Sequence, residues 1–254
     1  MSIETKYSIQ TDQNHPYPYA SISLNKVHTI KVHLLNEDFS LQTHDEDTFY
    51  VSGPSLSDKD YQLYVKDQTL LIERNDQHTI TKTPYGDGQP LELYIPKQAF
   101  YREIQLTNKS GEGNINNLDA DRIQITTMTG ELKLDQIEST HFTLETISGD
   151  IKLRNLHASN ANITSTNADI DLRHIKIKNA LSIKTIEGDI DLEEGYSQEL
   201  FFDTESGDLD CEEFYPNAIH FNSVEGDLDI KNKKTEHDII IKSKQSIEGE
   251  LSIK

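Results

Sequence analysis

The residues best placed to do chemistry in this chain are four pairs of aspartates: Asp169 and Asp171, Asp189 and Asp191, Asp208 and Asp210, Asp227 and Asp229. Each pair follows a glycine or alanine and brackets one apolar residue. Residues two apart on a strand point the same way, so each pair presents two carboxylates on one face. Strands stacked at the sheet spacing of about 4.8 Å would turn the pairs into a double ladder. Carboxylates that close repel, less so in water and salt. A hard cation such as calcium takes several carboxylate oxygens and would relieve the repulsion. The ladder can therefore be a structural and soluble face, a weak calcium site, or a groove for a cationic ligand. The structural role leads, because an Asp after a turn can accept from local backbone amides. The Gly-rich repeat of about nine residues that marks calcium β-rolls is absent. No resident cofactor or dedicated metal site is expected.

What must position these acids is a repeat. Its register is marked by Gly111, Gly130, Gly149, Ala168, Gly188, Gly207, Gly226 and Gly249, each followed by Asp or Glu, at steps of 19, 19, 19, 20, 19, 19 and 23 residues. In Phe142 to Leu153, Phe142 and Leu144 alternate with polar residues, Ser148-Gly149 makes a turn, and Ile151 and Leu153 resume the alternation. Period-2 alternation reads as half-buried strand, and the seven glycines as turns that other residues adopt poorly. Leu156 and Ala158 supply a third inward stretch before Asn160 turns the chain. No segment has the period and length of a helix. One such coil cannot bury its apolar side alone, whereas stacked coils make a continuous core. The fold class is all-β: a single-stranded β-helix, or β-solenoid, with about 19 residues per coil.

Charge and composition narrow the function. The net charge of −20 argues against nucleic acid, and the 34% apolar content suits a slender coil with one side of each strand in water. Residues 181–230 hold 15 acids against Lys184 alone. Met1 to Ala20 lacks the apolar core of a signal peptide, and no apolar run reaches membrane-spanning length. The expectation is a cytoplasmic protein without direct membrane insertion, with surface association through a partner left open. Cys211 stands in the column of Leu153, Leu172 and Leu192 and reads as a core side chain.

Along the chain, residues 1–26 read as a polar, loosely ordered leader or an arm laid on a partner. Residues 27–103 read as an irregular N-terminal β capping region, including a Tyr85–Gly88 turn and a Leu91–Pro96 strand ended by proline. Residues 104–254 read as regular coils, the last lengthened around Lys244-Gln245-Ser246. Lys231, Lys233, Lys234, Lys242, Lys244 and Lys254 collect there, and lysines at an open end discourage edge-to-edge pairing.

The repeated T-x-x-G-D-I-x-L pattern, preceded by a strand such as LELYIPK, resembles the bacterial "putative adhesin" domain-of-unknown-function family over roughly residues 27–254. The resemblance implies a β-solenoid without catalytic residues. It also implies kinship with proteins of Gram-positive cell-envelope-stress regulons.

Catalytic signatures are missing: Ser148-Gly149-Asp150 is no nucleophile elbow, and the histidines, His141, His157, His174 and His220 among them, form no metal motif. Acids repeated in every rung suit structure, while catalysis usually breaks a repeat. Tyr196, Phe201, Phe202, Phe214 and Tyr215 fill a wider core or form a contact patch. The expected function is a non-enzymatic interaction scaffold whose acidic flank meets a cationic protein, peptide or divalent cation. The alternative is a carbohydrate-binding or polysaccharide-active β-helix. Open coil ends leave self-assembly, and hence the oligomeric state, undecided.

Overall fold

A computed structural model describes residues 4–23, 27–75, 89–232 and 239–253. The Tyr85–Gly88 turn and Lys233, Lys234 and Lys254 lie outside them. The described secondary structure is all β, in one continuous hydrogen-bonded system. Nine strands build the N-terminal part: β1 (Glu4–Tyr7), β2 (Tyr19–Ser23), β3 (Thr29–His33), β4 (Phe39–His44), β5 (Thr48–Ser52), β6 (Tyr61–Lys66), β7 (Thr69–Arg74), β8 (Leu91–Pro96) and β9 (Glu103–Asn108). Six long strands follow, one per coil: β10 (Gly113–Thr127), β11 (Leu132–Glu145), β12 (Ile151–Thr164), β13 (Ile170–Lys184), β14 (Ile190–Thr204) and β15 (Leu209–Ser223). Then come β16 (Leu228–Lys231), β17 (Ile240–Ser246) and β18 (Leu251–Ile253).

Each long strand is bent into three faces, as β12 shows. Ile151 and Leu153, then Leu156 and Ala158, then Ala161 and Ile163 point inward. The alternation slips from two residues to three between the runs, and each slip is a corner. At the first corner the backbone is left-handed: Asn117, Gln136, Asn155, His174, Glu194 and Glu213 all have φ between 53° and 56°. Asparagine tolerates this conformation; the Gln, His and Glu copies are held there by pairing on both sides. Successive coils stack parallel and, apart from a one-residue shift in β13 between Ile177 and Ala180, in register, so Leu134, Leu153, Leu172, Leu192, Cys211 and Ile230 form one buried column. Cys211 is core, and burial raises its thiol pKa.

The fourth side of each coil is the turn. A hydroxyl column, Thr127, Thr146, Ser165, Thr185, Thr204 and Ser223, is buried beneath it. Thr146 Oγ1 donates to the Ser148 carbonyl (3.1 Å), while Ser165 Oγ and Thr204 Oγ1 accept from the N–H of Ala168 (2.8 Å) and Gly207 (2.9 Å). These bonds satisfy backbone groups that would otherwise be buried without partners. The leading Thr of the repeat is thus the turn's internal cap.

The cap is a threaded stack of coils and closing strands. On one face β7, β3, β9 and the end of β10 pair parallel; on another, β8, β4 and the start of β10 do. Residues 29–44 therefore form a coil directly under Gly111, inserted above the later β7 and β8. Glu37 takes the glycine's place, its carboxylate accepting from Leu35 N–H (2.8 Å) and Asn36 N–H (3.0 Å) and lying 3.4 Å from Arg74 Nε. Antiparallel strands then close the end: β6 on β7 with β1 outside it, and β5 on β8 with β2 outside it. The loosely ordered leader is corrected here, since β1 and β2 give otherwise open sheet edges their hydrogen bonds.

The long last step is also relocated. The register offset grows from 19 at Glu212↔Lys231 to 22 at Ala218↔Ile240 and 23 at His220↔Ser243, and stays 23 at Ser223↔Ser246. The extra residues lie between Lys231 and Ser243, while Lys244–Ser246 are in register. Lys231 and Lys242 reach back to Asp210 and Glu199, so both sit in ion pairs as well as near the end coil.

Gly188 gives a direct check on turn stacking. Its φ is +97°, and a Cβ there would lie 2.5 Å from the Ala168 carbonyl oxygen. Gly188→Ala is expected to cost about 1–3 kcal/mol, visible as a lower Tm. An unchanged Tm would remove the turn from the list of constraints that set the rung height.

Candidate functional site

The two aspartate columns occupy the first strand segment after each turn, and they differ in what their carboxylates do. In the first column, Asp169 Oδ1 accepts from Asp189 N–H (3.0 Å), Asp189 Oδ1 from Asp208 N–H (3.1 Å), and Asp208 Oδ1 from Asp227 N–H (2.8 Å). Asp227 Oδ1 continues the series to Glu250 N–H (2.6 Å). The expected backbone bond exists, but it reaches the next coil. Asp38 makes the same kind of bond in the cap, its Oδ1 accepting from Glu112 N–H (2.8 Å). Sequence reasoning missed it because no glycine precedes it.

In the second column, Asp171, Asp191, Asp210 and Asp229 are in direct register. Two residues further along, the column Arg173, Glu193, Glu212 and Lys231 runs beside it. Cations bracket this acidic lattice. Arg173 is 2.8 Å from Asp171 and 3.4 Å from Glu193; Lys231 is 3.4 Å from Asp210 and 3.6 Å from Asp229. Asp191 sits between, its pKa raised by partial burial and then by Asp210 and Asp171. Two shallow hollows, of about 270 and 360 Å³, lie over the lattice. Among the described residues no three His, Cys, Asp or Glu side chains are grouped so as to hold a metal ion.

The middle face is different. Its outward column reads Asp119, Glu138, His157, Lys176, Tyr196 and Tyr215 in register. No one residue type runs through it, and a column of mixed chemistry was not recognised in the sequence. Its groove has a wall from another element, the 96–101 crossover joining β8 to β9, which no local pattern predicts. Two adjoining hollows of about 570 Å³ each share Asp119, Glu138, His157 and Lys176. Burial, Glu138 and Asp121 raise the Asp119 pKa.

The aromatic group divides. Phe202 and Phe214 are buried, Phe201 stacks on His220 at 4.2 Å between ring centres, and Tyr196 is 51% exposed in the groove. His174 is a corner residue, 3.0 Å from Glu194. No helix among the described residues is long and apolar enough to cross a membrane.

A family model described as Toastrack DUF4097 matches residues 27–181 and 179–253. No curated protein matches the chain. Among solved structures, a "putative adhesin" from Bacteroides fragilis shares 16% identity over 93% of this chain and 96% of its own, with a TM-score of 0.54. A "putative lipid binding protein" from Parabacteroides distasonis shares 13% over the same fractions, with a TM-score of 0.63. These likenesses support the solenoid fold. Neither neighbour is described as an enzyme.

The two acid columns predict opposite responses to truncation. Asp208→Ala removes the acceptor for Asp227 N–H and should lower stability by about 1 kcal/mol. Asp210→Ala relieves repulsion on Asp191 and should leave Tm unchanged or raised, while moving the Asp191 pKa down toward the usual carboxylate range. Since Asp191 titrates high in the folded state, it stabilises the fold at low pH, and that contribution is lost as pH rises through its folded pKa. Carboxyl-carbon NMR titration with thermal melts checks both; equal losses of stability in the two variants would contradict the division.

Proposed function

This chain belongs to the Toastrack DUF4097 family, and from that premise we propose that it is a non-enzymatic interaction module whose acidic face engages a cationic protein or peptide. The observation carrying this reading is the in-register lattice of Asp171, Asp191, Asp210 and Asp229 beside Glu193 and Glu212. The carboxylates of the first column are occupied by backbone N–H groups, whereas the second column meets Arg173 and Lys231 at its two ends and leaves Asp191 between the carboxylates of Asp171 and Asp210. A cationic side chain laid between two rungs would offset the Asp210 and Asp171 charges that add to burial in raising the Asp191 pKa. Two lattice dimensions make such a face selective: rungs about 4.8 Å apart, and columns about 6.7 Å apart along the strand. An extended basic segment, with alternate side chains on one side, has a matching repeat. The envelope-stress kinship implied by the resemblance fits a module that meets cationic, membrane-active molecules.

The test is binding of a fluorescent decalysine peptide, followed by anisotropy. Affinity should fall steeply as salt rises from about 0.01 to 0.15 M, over which the screening length shortens from about 30 to 8 Å. An Asp171→Asn, Asp191→Asn, Asp210→Asn variant should bind at least about tenfold more weakly. A charge-matched control removes the exposed Asp45, Glu46 and Asp47 as Asn, Gln and Asn, and should bind almost as wild type. Equal losses in the two variants would reduce the attraction to net charge and sink the proposal. A calcium-specific rise in Tm, lost in the lattice variant and absent with magnesium, would assign the face to a divalent cation instead.

A further inference from the structure

The acidic lattice lies on one face; the mixed groove on the middle face has its own chemistry. In a chain with 44 acids and 24 basic residues, its lining is balanced: Asp119, Asp121 and Glu138 against Lys97, Lys176 and Lys178. A polycation would meet the lysines and a polyanion the carboxylates, so the groove favours a ligand without net charge. Polar groups stand at successive rungs, with carboxylates at Asp119 and Glu138, an imidazole at His157 and an ammonium at Lys176. The corner column beside them contributes the side-chain amides of Asn117, Gln136 and Asn155.

Two aromatic rings flank these donors and acceptors. Phe100, on the crossover wall, is 63% exposed, and Tyr196, four rungs beyond Asp119, is 51% exposed. Leu118 and Tyr101 form a largely apolar floor, with the Tyr101 hydroxyl donating to the Pro96 carbonyl (3.1 Å). Exposed rings offer flat apolar platforms, and paired donors and acceptors between them suit a hydroxyl-rich ligand. The column from Asp119 to Tyr196 runs about 19 Å along the solenoid axis at the sheet spacing. We propose that this groove binds a neutral oligosaccharide laid along the axis, gripped by Phe100 and Tyr196 and hydrogen-bonded by Asp119, Glu138, His157 and Lys176.

The test titrates the full chain with cellohexaose, chitohexaose and maltohexaose, read by amide NMR shifts and calorimetry. At least one should bind, shift amides on rungs 119–176, and keep its affinity within about twofold when salt is raised to 0.5 M, because no net charge is exchanged. Phe100→Ala and Tyr196→Ala, both at exposed positions, should each weaken binding about fivefold or more at unchanged Tm. Glu138→Gln, which keeps an acceptor, should lose less than Glu138→Ala. Absence of binding by all three sugars would overturn the assignment, as would affinity unmoved by both aromatic variants, or a preference for heparin that salt abolishes. Decalysine should not compete, so failure of the acidic-face reading leaves this result interpretable, and the reverse.

Discussion

Everything in this molecule depends on how closely one turn rests on the turn below. At Gly130, Gly149, Gly207 and Gly226, a Cβ would stand 2.1 to 2.4 Å from the carbonyl oxygen of the preceding glycine. Main chain therefore rests on main chain, and no side chain can enter between. That contact sets a common height for each coil, and parallel pairing carries the register around all three faces. Once register is transmitted, each position of the repeat becomes a column. A residue is then chosen partly by the neighbours above and below it.

Columns that solve one physical problem keep one residue type. The buried hydroxyls cap turns, the inward aliphatics fill the core, and the first aspartate column bonds the next coil's N–H. Each answer is copied because each coil poses the same question. The second aspartate column also repeats, yet there burial first, and then the neighbouring Asp210 and Asp171, raise the Asp191 pKa. The mixed column on the middle face follows no structural rule, and chemistry there varies from rung to rung.

Much of the architecture was legible because glycine, acid and alternating aliphatics recur together. Leu153, Leu172, Leu192 and Cys211 could be aligned as one buried column without coordinates, and Ala168 could be recognised as a turn in place of glycine. The coil at 29–44 was hidden because Glu37 replaces the glycine and its missing sequence neighbour, β7, comes later in the chain. The first corner was hidden because residues such as Gln136 and Glu194 adopt a left-handed backbone without glycine's signature. β1 and β2 looked like a polar leader because edge strands bury few side chains. Of the two candidate surfaces, the acid ladder was visible as a pattern, but the bonding of its first column was not: a carboxylate bonding 19 residues away looks, in sequence, like one in water. The groove was invisible because Phe100 and Tyr196 are nearly a hundred positions apart.

The division proposed for the two aspartate columns is fold for the first and recognition for the second. Its most direct test is the carboxyl-carbon spectrum of labelled protein recorded with and without saturating decalysine. Asp171, Asp191 and Asp210 should shift and the raised Asp191 pKa should fall, while Asp169, Asp189 and Asp208 stay in place and the amides they bond stay protected from exchange. Shifts centred on the first column, or spread evenly over all the acids of the chain, would contradict it.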